Sequence, residues 1–599
     1  MSIFIRDQVE VYLKIMQILT KLRKLDGRGS VMLRNLRNVL DLDLSETMEL
    51  QIIWTEEALI RGAHLIDHDR EVTQDDYIYV KIGAVAAGAG VILAITGGLC
   101  APLIVVGLHG MGASAAGITA LSMATLFGGL GAGLGGYRMK NRTEGLTEFR
   151  FQRYDDSTDS ETERVSSKME VMVMVSGWME EDDDKRTFGV LPEQMSLKER
   201  LVRFYRIHAP ARLALVEEEV RRFEKTPDDL FHCLEECYGK DPRSPTCLIP
   251  LRFVVNCTAA QYNSLREMVR EILDDRNTAP GSEVSVGSYS GQAEPAPHQT
   301  PDMLPNMRDM SLVYDRYWHW RELPISALSE LNLLHWETDM QRKLSSAFQA
   351  FLLSVSYYLS AVVLTSIPVL LLLSTALLLP ATLLDSLSML DNTWVLACER
   401  ADSTGRELAE ALLEGRHGGR PVTLVGHSLG ARVLFACLVE LADRAHIPEL
   451  QATTAEVAVT DHDRHHDNDK LTEKEPVAEI NKDSARKSLQ SALQREQQWI
   501  KAIVKDVVLL GAPVHHQNKH WARVRALVGG RLVNGYSCED AMLAVVYRYE
   551  RMRWGVCGLE PVAVDGVENM NLTHLVTEHI HYCTRMKSIL LEVNLSETL

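Results

Sequence analysis

The chain has 599 residues, 46% apolar and 24% charged side chains, and a formal net charge of −18. A chain of this length outgrows a single core, so roughly two to four structural units are expected, and the composition is that of folded protein. The acidic excess repels phosphate backbones and excludes nucleic acid as a natural partner.

Residues 1–76 read as a helical region: Val11, Ile15, Ile18 and Leu22 recur at helical spacing, with Asp26-Gly-Arg-Gly29 as punctuation. This segment suits either a partner-binding helix or a bundle packed on the rest. Arg6, Asp7, Glu10 and Lys14 interrupt any apolar core of a cleaved secretory signal.

Residues 77–142 carry the longest uncharged run. Asp, Glu, Lys and Arg are absent from Ile82 to Gly136, and about 20 apolar residues suffice for one membrane crossing. Two helices turning near His109-Gly110-Met111-Gly112 would form a transmembrane hairpin. Gly129/Gly133 and Gly131/Gly135 stand at the spacing that lets helix backbones approach in lipid. Lys81 precedes the run, and Arg138, Lys140 and Arg142 follow it. Positive charge at both ends places both on the cytosolic side of an intracellular membrane. The alternative is a glycine-rich helical pair inside a soluble core.

Residues 143–168 read as a polar linker. Met169 to Ser176 is a β-branched apolar run that fits a buried parallel strand. Residues 191–276 read as an inserted helical module, with a further strand considered at Cys247–Cys257. Residues 277–310, rich in Pro, Ser and Gly, read as a disordered linker. Asn332 to Glu337 is another strand candidate. The second uncharged stretch, 344–384, fits either a membrane-associated segment or a helix pair capping the core. Residues 451–495 read as a disordered insertion; their Asp461-His-Asp-Arg-His-His-Asp-Asn-Asp469 tract lacks anything to fix a metal geometry.

Pro421 to Gly430 reads Pro-Val-Thr-Leu-Val-Gly-His-Ser-Leu-Gly, a short apolar strand running into G-x-S-x-G, with helix-forming sequence from Ala431. That order is the setting of a nucleophile elbow. Gly426 and Gly430 omit Cβ atoms that would clash at the tight turn. Ser428 is therefore the candidate nucleophile, and the N–H of Leu429 a candidate oxyanion donor. His427, beside it, points elsewhere on a sharp turn and supports the site without being its base. A serine hydroxyl needs a base, and the base an orienting acid, here in the order Ser, acid, His. Asp506 lies at the N-terminal end of the strand Asp506–Pro513, the wrong end for the chemistry. Asp540, past the strand Arg531–Tyr536, is the chosen acid, with Glu539 in reserve. Val556–Val564 is the last strand candidate. Of His574, His579 and His581 beyond it, His579 is the chosen base. Gly177 and Trp178, directly after the Met169–Ser176 strand, are candidates for the second oxyanion donor. His515, His516 and His520 lack an acidic third ligand, so they read as a loop at the site's mouth. Ten dispersed cysteines without a CxxC pair read as reduced thiols, and no metal site is expected.

Several of these segments resemble the transmembrane and coiled-coil domain-containing protein 4 family and its fungal relatives, which carry the domain of unknown function 726. They are Val175-Ser-Gly-Trp178, Pro421–Val433, Asp506–Val514, Gly530–Tyr536 and Gly558-Leu-Glu-Pro-Val562. The likeness spans roughly 77–190 and 311–590 and departs at 191–310 and 451–495. It implies a multi-pass membrane protein with a cytosolic α/β-hydrolase domain, built from 165–190 and 311–599 as a parallel sheet with flanking helices. In that pattern Ser428, Asp540 and His579 hold the triad positions. The expected activity is hydrolysis of a lipid or acyl ester at a membrane, without a cofactor, with protein partners on the helical insertion. The alternative is a membrane-trafficking adaptor or scaffold that keeps the fold without essential turnover.

Overall fold

The computed structural model describes residues 3–58, 146–154, 168–178, 184–248, 259–274, 317–362, 381–448 and 490–595, with breaks of a few residues inside some of these spans. The expected transmembrane hairpin at 77–142, the linker at 277–310 and residues 451–489 of the polar insertion lie outside the described residues. So does most of the strand considered at Cys247–Cys257.

The centre is a seven-stranded sheet of β1 (Phe149–Tyr154), β2 (Glu170–Val175), β3 (Ser329–Trp336), β4 (Val422–His427), β5 (Val504–Leu510), β6 (Leu532–Tyr536) and β7 (Val567–Asn571). Spatial order is β1-β3-β2-β4-β5-β6-β7. All neighbours are parallel except the edge pair β1 and β3. This is a mixed α/β protein. β2, β3, β4 and β5 are buried along their whole length, as the near-continuous apolar runs of a sheet covered on both faces require.

Side chains alternate between the two faces. Val171, Val173 and Val175 join Leu424, Val507 and the helices Thr338–Val362, Ala381–Leu413 and Leu429–Arg444 on one side. Met172 and Met174 join Val425, Val508, Leu510 and the C-terminal helix Met586–Val593 on the other.

Three segments depart from expectation. Residues 149–154, expected in the polar linker, form the edge strand β1, with Phe149 paired to Trp336 and Tyr154 to Leu331. Phe149 and Phe151 pack on one core cluster and Tyr154, on the opposite face, on the other, so three aromatic residues among polar ones anchor this edge strand. Val556–Val564 is not the last strand: Val556 makes a single bridge to His515, and the segment turns through Gly558 and Pro561. The pairing role falls to β7, none of whose five residues is fully buried.

The N-terminal helices Ile3–Lys21 and Gly27–Val39 share a core with Trp54 and with Leu265, Val269 and Ile272 of the helix Ala259–Asp274. The helices between Leu197 and Tyr238 have a core of their own around Leu201, Phe204 and Phe231. The N-terminal helices grip the sheet through Arg34, whose two terminal nitrogens donate to the Asp506 carboxylate at 2.8 and 2.9 Å. Asp506 sits at the start of β5, and its Oδ1 also accepts from the N–H of Arg531 at 2.7 Å. Burial alone would raise the Asp506 carboxyl, but Lys505 and Arg34 outweigh it and hold the pKa below the usual carboxylate range. The early half of helix Thr338–Val362 packs Leu344, Ala347, Phe348 and Phe351 into the core against Trp394, Ala397 and Cys398. Among the described residues, no helix is long and apolar enough to cross a membrane.

Candidate active site

The C-terminal ends of β2, β4 and β6 open onto one rim of the sheet, where open α/β sheets place their ligands. β4 ends at His427, and the helix Leu429–Arg444 begins two residues later. Ser428 makes the turn with φ 53° and ψ −129°, a conformation that a residue with a Cβ adopts only under constraint. The constraint is visible. The Ser428 N–H donates to Leu510 O on β5 at 2.9 Å, and its carbonyl accepts from Ala431 at 3.0 Å. Close packing completes it: a Cβ at Gly430 would lie 2.1 Å from Val175 O, and one at Gly177 would lie 2.0 Å from Gly430 N and 2.2 Å from Leu429 N. The end of β2 thus lies directly on the turn. Leu429 is the first helical residue, so its N–H has no carbonyl of that helix to bond.

Two further loops bring the partners. Asp540 follows β6 and precedes the helix Ala541–Arg551; its Oδ1 caps that helix by accepting from the Leu543 N–H at 3.0 Å. Its other oxygen, Oδ2, lies 2.6 Å from His579 Nδ1. His579 Nε2 lies 2.7 Å from Ser428 Oγ. An ionised carboxylate only accepts, so Nδ1 carries the imidazole proton and Nε2 is left to accept the serine hydroxyl. Ser428, Asp540 and His579 are all buried. The His579 ring packs edge-on against Trp178, with centroids 5.7 Å apart, and against Tyr582 at 5.6 Å. Trp178 in turn meets Phe348 edge-on at 5.7 Å. Ser537 Oγ donates to Val576 O, tying the end of β6 to the loop that carries His579.

The other candidates fall elsewhere. Glu539 is exposed, His574 pairs with Glu592 at 2.9 Å, and His581 accepts from the N–H groups of Thr577 and Glu578. His515 bridges Val556, and His516 lies 3.3 Å from Glu560. His427 is buried, with Nε2 at 3.2 Å from Ser176 Oγ. Burial, helped by neighbouring His579, pushes its pKa down to about 3. No group of His, Cys, Asp and Glu fit to hold a metal occurs among the described residues.

Tyr582 was not singled out from sequence. Its hydroxyl is buried without a hydrogen-bond partner, and burial, with the charge of Asp540, raises its pKa well above the ordinary value. Gly511, at φ +54°, leaves the room its ring fills: a Cβ there would lie 2.5 Å from Tyr582 Cε2. The usable signal is spacing, since Tyr582 lies three residues after His579 on the same helical turn.

The fold and the rim define a mixed α/β protein with a strained strand–helix serine, hydrogen-bonded through histidine to aspartate. The chain belongs to the family described as "Protein of unknown function (DUF726)", whose model matches residues 77–198, 310–451 and 485–596. It is 35% identical over 207 residues to the transmembrane and coiled-coil domain-containing protein STS1 of Oryza sativa subsp. japonica, covering 34% of this chain and 23% of that one. It is 32% identical over 206 residues to an uncharacterized membrane protein of Caenorhabditis elegans, covering 34% and 25%. It is 28% identical over 285 residues to the probable lipase MIL1 of Saccharomyces cerevisiae, covering 46% and 21%. The alignments span about a quarter of the length of these relatives. No solved structure matches.

Proposed function

We propose that the protein is a membrane-attached serine hydrolase of the α/β-hydrolase type, acting on a lipid or acyl ester. The observation that carries this reading is the hydrogen-bonded chain Ser428 Oγ, His579 Nε2, His579 Nδ1, Asp540 Oδ2 at 2.7 and 2.6 Å, on a strained strand–helix turn. As His579 Nε2 takes the hydroxyl proton, Ser428 Oγ forms a bond to the acyl carbon. Negative charge then collects on the former carbonyl oxygen, facing the N–H of Leu429 and the backbone N–H of Gly177 or Trp178. The imidazolium, oriented and stabilised by Asp540, returns its proton to the leaving alkoxide as the ester C–O bond breaks. Water repeats the sequence on the acyl-enzyme, releasing the acid and restoring Ser428. No cofactor is required. The lipid preference draws on the relative named a probable lipase, and membrane attachment on relatives named as membrane proteins.

The test is turnover of p-nitrophenyl esters of graded chain length by the full chain in detergent. Hydrolysis that rises with chain length and vanishes in Ser428→Ala is expected. Equal rates in wild type and Ser428→Ala would reject the reading.

A further inference from the structure

His427 stands beside the nucleophile in sequence, yet the chemistry just described gives it no part. Its surroundings do. Ser176, the first residue after β2, has one hydroxyl hydrogen and two neighbours for its oxygen: Trp178 O at 3.1 Å and His427 Nε2 at 3.2 Å. Trp178 O is acceptor-only, so it takes the hydroxyl hydrogen. The ring nitrogen must then be the donor, which makes His427 the Nε2–H tautomer with a bare Nδ1. The reverse arrangement would bury an N–H at Nδ1, where there is no hydrogen-bond partner, and would leave the Trp178 carbonyl only the long, weak contact from Cys583 Sγ at 3.8 Å. Burial keeps the ring neutral across the working range, with its pKa pushed down to about 3, so the hydrogen bonds alone select the tautomer. The Ser176 carbonyl is also pinned, accepting from Trp336 Nε1–H at 2.8 Å.

We propose that His427 is a positioning residue for oxyanion binding: it donates to Ser176, Ser176 donates to Trp178 O, and that relay locks the Ser176–Trp178 turn against the Leu429 N–H. The inference rests on the hydrolase reading. Its physical content is that the turn is packed without slack. Gly177 has no room for a Cβ beside Leu429 N, and Trp178 is wedged edge-on between His579 and Phe348. A turn released from the relay would shift its backbone N–H groups relative to Leu429 by a fraction of an ångström to an ångström. A misplacement of about 1 Å is enough to cost about 10²-fold in rate. Because the oxyanion exists only beyond the ground state, the loss falls on kcat and not on KM.

Four variants of the full chain test this: His427→Leu, which removes the donor; His427→Gln, which keeps an amide N–H; Ser176→Ala, which removes the relay; and the double variant His427→Leu/Ser176→Ala. With p-nitrophenyl butyrate, His427→Leu and Ser176→Ala should each lower kcat about 10²-fold with KM within threefold. Their inhibition by a trifluoromethyl ketone, whose hemiketal oxygen occupies the oxyanion position, should weaken in parallel. The double variant should be no worse than either single one, and His427→Gln should recover at least tenfold over His427→Leu. If His427→Leu fails to fold, Ser176→Ala carries the test alone. Wild-type turnover with Ser176→Ala within threefold of it, or multiplicative losses in the double variant, would overturn the relay while leaving the hydrolase intact. Absence of turnover in wild type would instead overturn the hydrolase reading and the relay with it.

Discussion

Gly177→Ala is the sharpest perturbation of the rim. The added Cβ would meet three backbone atoms: Gly430 N at 2.0 Å, Leu429 N at 2.2 Å and His427 O at 2.4 Å. None belongs to a flexible side chain, so relief requires the end of β2 and the serine turn to separate by more than an ångström. Overpacking of this kind costs about 1–3 kcal/mol of stability. The larger effect falls on chemistry, because the displaced backbone carries the oxyanion donors. Losing one donor costs about 2.7–4 kcal/mol in the transition state, a fall in kcat of about 10²–10³. The assay is kcat and KM on a p-nitrophenyl ester, with apparent melting temperature measured alongside. Gly239→Ala is the control: a Cβ there meets nothing within 4 Å, so whatever its positive φ of 63° costs in stability, it should leave kcat unchanged. A Gly177→Ala protein that turns over within threefold of wild type and melts at the same temperature would refute the packing argument.

Arg34→Met should leave Asp506 buried without its guanidinium partner and cost about 3–5 kcal/mol, read as a lower denaturant midpoint; a change under about 0.5 kcal/mol would mean that the N-terminal helices do not rely on this pair. Asp540→Asn should keep the fold and lower kcat by about 10⁴ with little change in KM, because the amide favours the wrong imidazole tautomer; full activity would remove Asp540 from the mechanism. His417 and His427 are both buried, with pKa values pushed down to about 3, by burial first in each case and then by Arg420 and His579 respectively. Both are neutral when folded and free to bind a proton when unfolded. Stability is therefore complete above about pH 6.5 and falls as pH drops from there toward 3, by on the order of 2 kcal/mol for each histidine at pH 5. A denaturation midpoint flat between pH 7 and 5 would contradict this.

What was legible in the sequence was local. The apolar run Pro421–Val425 passing into Gly-His-Ser-Leu-Gly marks a strand, a turn and a helix without reference to the rest of the chain. β2, β3 and β5 announced themselves through short, mainly apolar runs, Val171–Val175, Leu331–Leu334 and Val507–Leu510, of the kind that strands buried on both faces carry. β1 and β7 lie at the sheet's edges and are partly exposed; the polar residues of β1 read as linker, and β7 carried no strand signal. Val556–Val564 looked more strand-like than β7 because Val556, Leu559, Val562 and Val564 outnumber the apolar residues of β7, although Gly558 and Pro561 are themselves turn signals. Between Asp540 and Glu539 the choice turns on one geometric fact, that Asp540 faces inward to cap a helix while Glu539 faces solvent. Contacts set by tertiary packing left no local trace: Arg34 with Asp506 across 472 positions, Ser176 with His427 across 251, and the Trp178, Phe348 and Tyr582 rings around His579. That Ser428, His579 and Asp540 meet is a property of the fold; what they do there is the proposal.

That proposal is tested most directly by treating the detergent-solubilised full chain with a fluorophosphonate and mapping the adduct by peptide mass spectrometry. The account predicts a single covalent phosphonyl group on Ser428, lost in Ser428→Ala and formed at least 10²-fold more slowly in a His579→Ala variant that retains its fold. An adduct on another residue, or Ser428 left unmodified in wild type under conditions that saturate an ordinary serine esterase, would contradict it.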